Sequence, residues 1–336
     1  MLMYVVESVA QCGVVQGVVV VGHKADWVEK RIGEFETPFA ISFAEQAVQR
    51  GTGDAATIGI DALPDDDDDG DVIIMPGDQP LFRPETLAAM VAQHRTSGVA
   101  ATVVSAQLDD ATGLGRLVRS SSGDVARIVE HRDASPAELL INEINTSVYC
   151  FRRSLLAPAL RRLTTNNAQG EYYLTDVVSV LSSAGHRVGA FMVADASEAA
   201  GVNDRNQLAR AEAVLRRRVN ERLLASGVTM WDPANTFIDA TVQIGRDVTI
   251  LPGVVLQGTT SIGDASEIGP SVRLVDTSVG EGCHIETTSA RGAQIGRDCV
   301  VGPFAFLGAG AVIDDGVTTG PFLNQSLPTK ASTPWK

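Results

Sequence analysis

The sequence predicts an α/β domain followed by a left-handed parallel β-helix, and three observations carry that prediction. Up to about Asn203, helical patterns alternate with short, purely apolar runs. From Asp204 a long amphipathic helix pattern takes over, and beyond it the aliphatic period changes to six. A chain of 336 residues also exceeds the size at which one hydrophobic core stops growing, so two domains are the natural solution.

Taken in order, Met3–Ala10 reads as an amphipathic helix, and Val18-Val19-Val20-Val21 then ends at Gly22-His23. Val72-Ile73-Ile74-Met75 runs into Pro76-Gly77-Asp78, and Ala101-Thr102-Val103-Val104 follows another helical stretch. Strands without polar alternation are buried on both faces, which predicts a parallel sheet covered by helices. In such a doubly wound domain, ligands sit beyond the carboxyl ends of the strands. The five aspartates Asp65–Asp69 could hold a metal, but a solvated loop is the better reading of adjacent carboxylates.

Asp204–Ser226 follows as one long helix. Leu208, Ala211, Leu215, Val219 and Leu223 form its apolar stripe, and Arg210, Arg216, Arg217, Arg218 and Arg222 occupy the other faces. Those arginines read as a solvated surface rather than an anion site, and Gly227 stops the helix. Ile238, Ile244, Ile250, Leu256, Ile262, Ile268 and Leu274 then recur at intervals of six. With roughly a quarter of positions aliphatic, such a run arises by chance about once in ten thousand, so the repeat is real. Val279 comes one step early, Ile285 resumes, Arg291 breaks the register, and Ile295, Val301, Leu307 and Ile313 restore it. Three hexads make one triangular coil, which predicts between four and five coils. After Thr319 the period vanishes, and residues 321–336 read as an irregular tail.

Composition narrows the chemistry. The formal charge is 27 − 41 = −14, which argues against nucleic acid or an anionic membrane as the main partner. Cys12, Cys150, Cys283 and Cys299 form no CxxC pair, and the five histidines show no HxxxH or HExxH spacing. A structural zinc site and a disulfide framework are therefore not expected, and small buried thiols are. The early valine run is too short to span a bilayer, and the opening carries no secretory pattern, so a soluble cytoplasmic protein is expected.

Several uncommon strings occur in a fixed order. Gln46-Ala47-Val48-Gln49-Arg50-Gly51-Thr52-Gly53-Asp54 offers amides that can pair with a nucleobase and glycines that admit a flat ring, although a helix entry would look the same. Pro76-Gly77-Asp78-Gln79-Pro80-Leu81 places a carboxylate at a strand end, suited equally to Mg²⁺ or to a helix N-cap. Thr112-Gly113-Leu114-Gly115-Arg116, Ile128-Val129-Glu130-His131-Arg132-Asp133 and Glu143-Ile144-Asn145-Thr146 could fix sugar hydroxyls, or be ordinary loop and strand residues. Asn166-Asn167-Ala168-Gln169-Gly170-Glu171-Tyr172-Tyr173-Leu174-Thr175-Asp176 and Gly201-Val202-Asn203-Asp204 complete the set.

Together these strings resemble the GlmU family of bifunctional N-acetylglucosamine-1-phosphate uridyltransferases and glucosamine-1-phosphate acetyltransferases, from about Met3 to about Gly310. The resemblance implies a Rossmann-like nucleotidyltransferase domain over 1–203, a connector helix over 204–228 and a hexapeptide β-helix over 229–320. It implies Mg²⁺ held by Asp78 and Asn203, uridine contacts from Gln46, Gly51 and Thr52, and a sugar pocket of Gly115, Glu130, Asn145, Glu171, Tyr172 and Thr175. The implied reaction joins UTP and N-acetylglucosamine 1-phosphate into UDP-N-acetylglucosamine for cell-wall synthesis, in a cytoplasmic homotrimer assembled through the β-helix without nucleic acid or membrane insertion.

Five departures from the family pattern stand beside these matches. The Gly-rich phosphate loop and first strand that open family members do not occur in this sequence, so no catalytic residue is assigned and turnover at a normal rate is not expected. Gly308 stands where the family carries a phosphate-binding arginine, and no histidine matches the acetyl-transfer position, so the acetyltransferase half is expected to be inactive. Leu114 replaces an aromatic, and Ser147 replaces a glycine. The alternatives are a non-catalytic hexapeptide trimer or degenerate fragment that binds sugar nucleotide, and a nucleotidyltransferase for another sugar or base.

Overall fold

The computed structural model describes residues 1–22, 24–64 and 70–325. His23, the aspartate run 65–69 with its metal reading, and residues 326–336 lie outside them. The chain divides into two compact units, Met1–Leu208 and Ala209–Lys336.

The first unit opens with α1 (Leu2–Ala10), β1 (Gln16–Val21), α2 (Ala25–Ile32), β2 (Ala40–Glu45), α3 (Thr52–Asp61), β3 (Asp71–Ile74), α4 (Pro84–Ser97) and β4 (Ala101–Gln107). It continues through β5 (Arg116–Arg119), β6 (Val125–Val129), β7 (Glu143–Arg152), α5 (Arg153–Leu160), α6 (Asp176–Ser183) and β8 (Val188–Met192). The limits of α4 are legible in its sequence. Pro84 sits in the first turn, Arg95 lies at the negative end of the helix dipole, and Gly98 adopts the left-handed conformation that ends it.

The strands form two sheets rather than one. β1 and β2 pair in parallel as a two-stranded sheet, and the other six strands run in the order β6-β5-β7-β4-β8 with β3 on β7. That larger sheet is mixed: β4 and β8 are parallel, whereas β7 runs antiparallel to β3, β4 and β5. The expectation of strands buried on both faces holds for β4, where six of seven residues are buried. It fails for β1 and β3, most of whose residues are half-buried. An all-apolar run records what a strand is made of, not how many layers cover it.

β7 organises the unit. One edge pairs with β4 along nearly its whole length, and the other takes β5 near Ile144 and β3 at Tyr149–Arg152. Between these partners the register slips: Val103 faces Tyr149 but Ser105 faces Asn145. The bulge contains Ser147 at φ 63°, in the left-handed region that disfavours a side chain. Its consequence is to bring Asn145 and Tyr149 within a hydrogen bond of each other. Leu156, Val177, Val178 and Phe151 pack one side of this sheet, and Leu87, Met90, Val104 and Val148 the other.

α7 (Arg205–Ala225) leads into the second unit, a parallel β-helix whose described residues form six, five and five strands on its three faces. Of the predicted stripe on α7, Ala211 and Leu223 are buried and Leu208 is exposed. Asn220, 1% exposed, donates its amide to the carbonyls of Pro233 and Thr236 and so satisfies backbone at the start of the coils. Arg216 stacks 4.3 Å from the centre of the Phe237 ring, so the arginine surface is not wholly solvated.

Ile250, Leu256, Ile268, Leu274 and Ile285 are fully buried inside the prism, each contributing about 1.5–3 kcal/mol by leaving water. At the break in the repeat the inward residue is Ala290, 2% exposed, and Arg291 points out. Neighbouring rungs lie 18 residues apart at Thr249 and Glu267, 17 at Glu267 and His284, and 16 at His284 and Val300. The coil thus absorbs short sides without losing strand pairing. The tail expectation is corrected at its start: Asn324–Gln325 pairs in parallel with Phe306–Leu307, carrying the coil past residue 320.

Candidate functional site

Three of the sequence strings meet around the carboxyl ends of the first unit's strands. The Gly51-Thr52-Gly53 turn enters α3 and lies against Glu171-Tyr172. Tyr172 N donates to Arg50 O at 2.8 Å, Gly53 N to Tyr172 O at 2.8 Å, and Leu174 N to Thr52 Oγ1 at 3.0 Å. Gly51 has φ 112°, and a Cβ there would lie 2.5 Å from Tyr172 O, so only glycine permits this approach. Gln46 is buried, and its amide nitrogen donates to Asp54 Oδ2 at 2.8 Å and to Gly51 O at 3.2 Å. Its donor thereby braces the turn, leaving its carbonyl oxygen as the group available to a base.

Gly115, Glu130 and Asn145 converge from β5, β6 and β7. A Cβ on Gly115 would stand 3.5 Å from Glu130 Oε2 and 3.6 Å from Asn145 Cβ, and Asn145 N donates to Gly115 O at 2.9 Å. Asn145 Nδ2 donates to Tyr149 Oη at 2.8 Å, and its Oδ1 accepts from Ser147 N at 3.1 Å. Thr175 Oγ1 donates to Glu130 Oε1 at 3.0 Å. Asp133 Oδ1 accepts from Ala168 N at 2.9 Å, tying the loop of β6 to the Asn167 loop. Within that loop Asn167 holds Glu171 through Nδ2 to Glu171 O at 2.6 Å and Oδ1 from Glu171 N at 3.2 Å.

Burial pushes the Glu130 carboxyl above its ordinary range, the Asp133 and Asp176 charges add to the rise, and the Thr175 hydrogen bond opposes it. A carboxyl raised in the folded state contributes stability below its unfolded value and loses it as pH climbs through the folded one. Glu130→Gln removes that loss. The variant should gain stability relative to the wild type as pH rises through the weakly acidic range to neutrality, read by urea denaturation at each pH. Identical slopes for the two proteins would contradict the assignment.

Asp78 and Asn203 lie on adjoining segments. Val202 N donates to Asp78 O at 3.0 Å, and a Cβ on Gly201 would lie 3.8 Å from Asp78 Oδ2. Among the described residues nothing donates to the half-buried Asp78 carboxylate, and Asn203 is exposed with its backbone N–H on Gln207 Oε1 at 2.6 Å. A carboxylate with an amide side chain on the adjoining segment is a hard-oxygen donor set of the kind that suits a Mg²⁺ ion keeping most of its waters. The neighbouring Gln79 donates to Thr146 O at 2.8 Å and so ties this segment to the residue after Asn145. Gln79 lies inside a string the sequence flags. Tyr149, which orients Asn145, carries no signal of its own, because its role depends on the bulge.

Residues 1–232 match the nucleotidyl transferase family. The bifunctional protein GlmU of Streptomyces avermitilis is 46% identical over 91% of this chain and 63% of its own length. That of Caldanaerobacter subterraneus subsp. tengcongensis is 42% identical over 93% and 66%, and that of an Exiguobacterium species 42% identical over 96% and 70%. The chain thus spans 63% and 66% of the length of the first two relatives. A solved UDP-glucose pyrophosphorylase complexed with UDP-glucose aligns with 56% of this chain and 78% of its own at 13% identity, with a TM-score of 0.46.

Proposed function

The chain belongs to the nucleotidyl transferase family and to the GlmU family, and from that premise we propose that it is a sugar-phosphate uridyltransferase. Its substrates are UTP and N-acetylglucosamine 1-phosphate, and its product UDP-N-acetylglucosamine serves cell-wall synthesis. The observation that carries the proposal is the convergence of Gly115, Glu130, Asn145 and Thr175 on one pocket, with the Asp78 loop anchored to β7 beside it.

In this reading the Gly51-Thr52 backbone and Gln46 oxygen face the uracil, while Asn145 and Glu130 hold the N-acetyl and hydroxyl groups of the sugar. Glu171 and Tyr172 wall the pocket between them. The sugar phosphate attacks the α-phosphorus in line and pyrophosphate leaves, so this chain's residues act by positioning. Bound between Asp78 and Asn203, Mg²⁺ would neutralise the two phosphates' mutual repulsion.

Calorimetry with UDP-N-acetylglucosamine and Mg²⁺ tests it. Asn145→Ala should bind about 10- to 100-fold more weakly than the wild type, since it removes a ligand hydrogen bond and strands the Tyr149 hydroxyl. Absence of binding by the wild type would overturn the reading. Binding without pyrophosphate release from the substrates would instead favour a sugar-nucleotide-binding hexapeptide protein. For assembly we propose a homotrimer through the β-helix. Phe304 and Phe322 support it: they stack 5.1 Å apart while 56% and 73% exposed. Among the described residues no helix is long and apolar enough to cross a membrane.

A further inference from the structure

At the entry end of β3, away from the Asp78 loop that follows its exit, four elements bring together groups that the uridyltransferase reading does not use. Cys150 on β7 pairs with Ile73 of β3 and with Thr102 of β4, so Asp71, Thr102 and Cys150 share one face of the sheet. His94, in the last turn of α4, packs onto that face. One ligand atom from each of Asp71, His94 and Cys150 lies within 4.8 Å of the others. His94 is 1% exposed and Cys150 fully buried, whereas the Asp71 side chain is 18% exposed and gives a path to solvent.

The hydrogen bonding leaves this point unsatisfied. His94 Nδ1 is 2.9 Å from Thr102 Oγ1, and Arg95 Nε holds Asp71 Oδ2 at 2.8 Å. His94 Nε2 makes no hydrogen bond although it is buried, and it faces Asp71 Oδ1 at 3.4 Å. The Thr102 hydroxyl can donate to Nδ1 or accept from it; when Nδ1 donates, Nε2 presents its lone pair toward Asp71 Oδ1, the arrangement a metal ion between them would use. A tetrahedral zinc about 2.0–2.1 Å from each atom would separate N and O by about 3.4 Å.

We propose that Asp71, His94 and Cys150 form a binding site for a zinc-class divalent metal ion, with water as the fourth ligand. Thiolate and imidazole select zinc over magnesium, and two anionic ligands cancel the ion's charge in a buried setting. Thr102 holds the ring through Nδ1, and Arg95 orients the carboxylate. Burial pushes the free Cys150 thiol up to about 12, so it is inert until a metal displaces its proton. The absence of CxxC and HxxxH spacing hides the site, because each ligand comes from a separate element.

Anaerobic titration of the full chain with Co²⁺ tests the proposal. A thiolate-to-cobalt charge-transfer band should grow to saturation and vanish on adding Zn²⁺. Cys150→Ser should lose the band, a Cys283→Ser/Cys299→Ser double variant should keep it, and Thr102→Val should weaken metal binding about 10- to 100-fold. No band in the wild type, or one that survives Cys150→Ser, overturns the site. Should Cys150→Ser fail to fold, Zn²⁺ should still raise the Tm of the wild type and not that of Asp71→Asn. Equal responses of those two proteins also overturn it.

Discussion

Gly51→Ala is expected to destabilise the first unit by about 2–3 kcal/mol and to abolish measurable uridine-nucleotide binding. Two costs fall on one methyl group. The backbone there has φ 112°, which side-chain-bearing residues rarely adopt, and the new Cβ would meet Tyr172 O at 2.5 Å and Glu171 Cβ at 2.9 Å. Neither neighbour can retreat cheaply. Tyr172 N is bonded to Arg50 O and Tyr172 O to Gly53 N, so moving the segment breaks the ladder that joins the two loops. Urea denaturation and calorimetry with UDP-N-acetylglucosamine read the two effects. Gly70→Ala is the control, since nothing lies within 4 Å of its Cβ position. Wild-type affinity in Gly51→Ala would show that the turn does not contact the nucleotide.

Gly280→Ala should open the β-helix locally at a cost of about 1–3 kcal/mol, toward the upper end because the obstruction is backbone. The added Cβ would sit 2.6 Å from Gly296 O and 2.8 Å from Arg297 N, in the next rung. That rung is held by Gly280 N donating to Ile295 O at 2.9 Å, so the two cannot separate without losing the bond. In a stack where each coil touches only its neighbours, the damage should stay near the mutation. Hydrogen exchange should quicken at Ser278–Val279 and Gln294–Ile295 and not at Thr249–Ile250, while Gly320→Ala, with open space around it, should be silent. Uniform protection in Gly280→Ala would refute the close packing of Gly280 against the next rung.

Much of this architecture was legible without coordinates. The six-residue period located the prism because its interior admits one aliphatic side chain per side, a constraint that one-dimensional spacing records directly. The register break at Arg291 was legible too, but not the residue that turns inward there, because Ala290 is too small to stand out as apolar. Likewise the end of the coil was placed too early, because Asn324–Gln325 continues the ladder with polar side chains and strand pairing is a backbone property.

The sequence by itself determined the two-part plan, the solenoid and which strings stand out from ordinary loop and strand residues, since these follow from periodicity and from local runs of unusual residues. Only the tertiary structure decided how the strings meet. It split the strands into two sheets, ran β7 antiparallel through the larger one, and used the bulge at Ser147 to turn Asn145 toward Tyr149. It also gathered Asp71, His94 and Cys150 from three elements. The physical reason is common to all of these. Which strand lies beside which is settled by burial and pairing summed over the whole unit, and a contact between distant residues leaves no spacing in the chain.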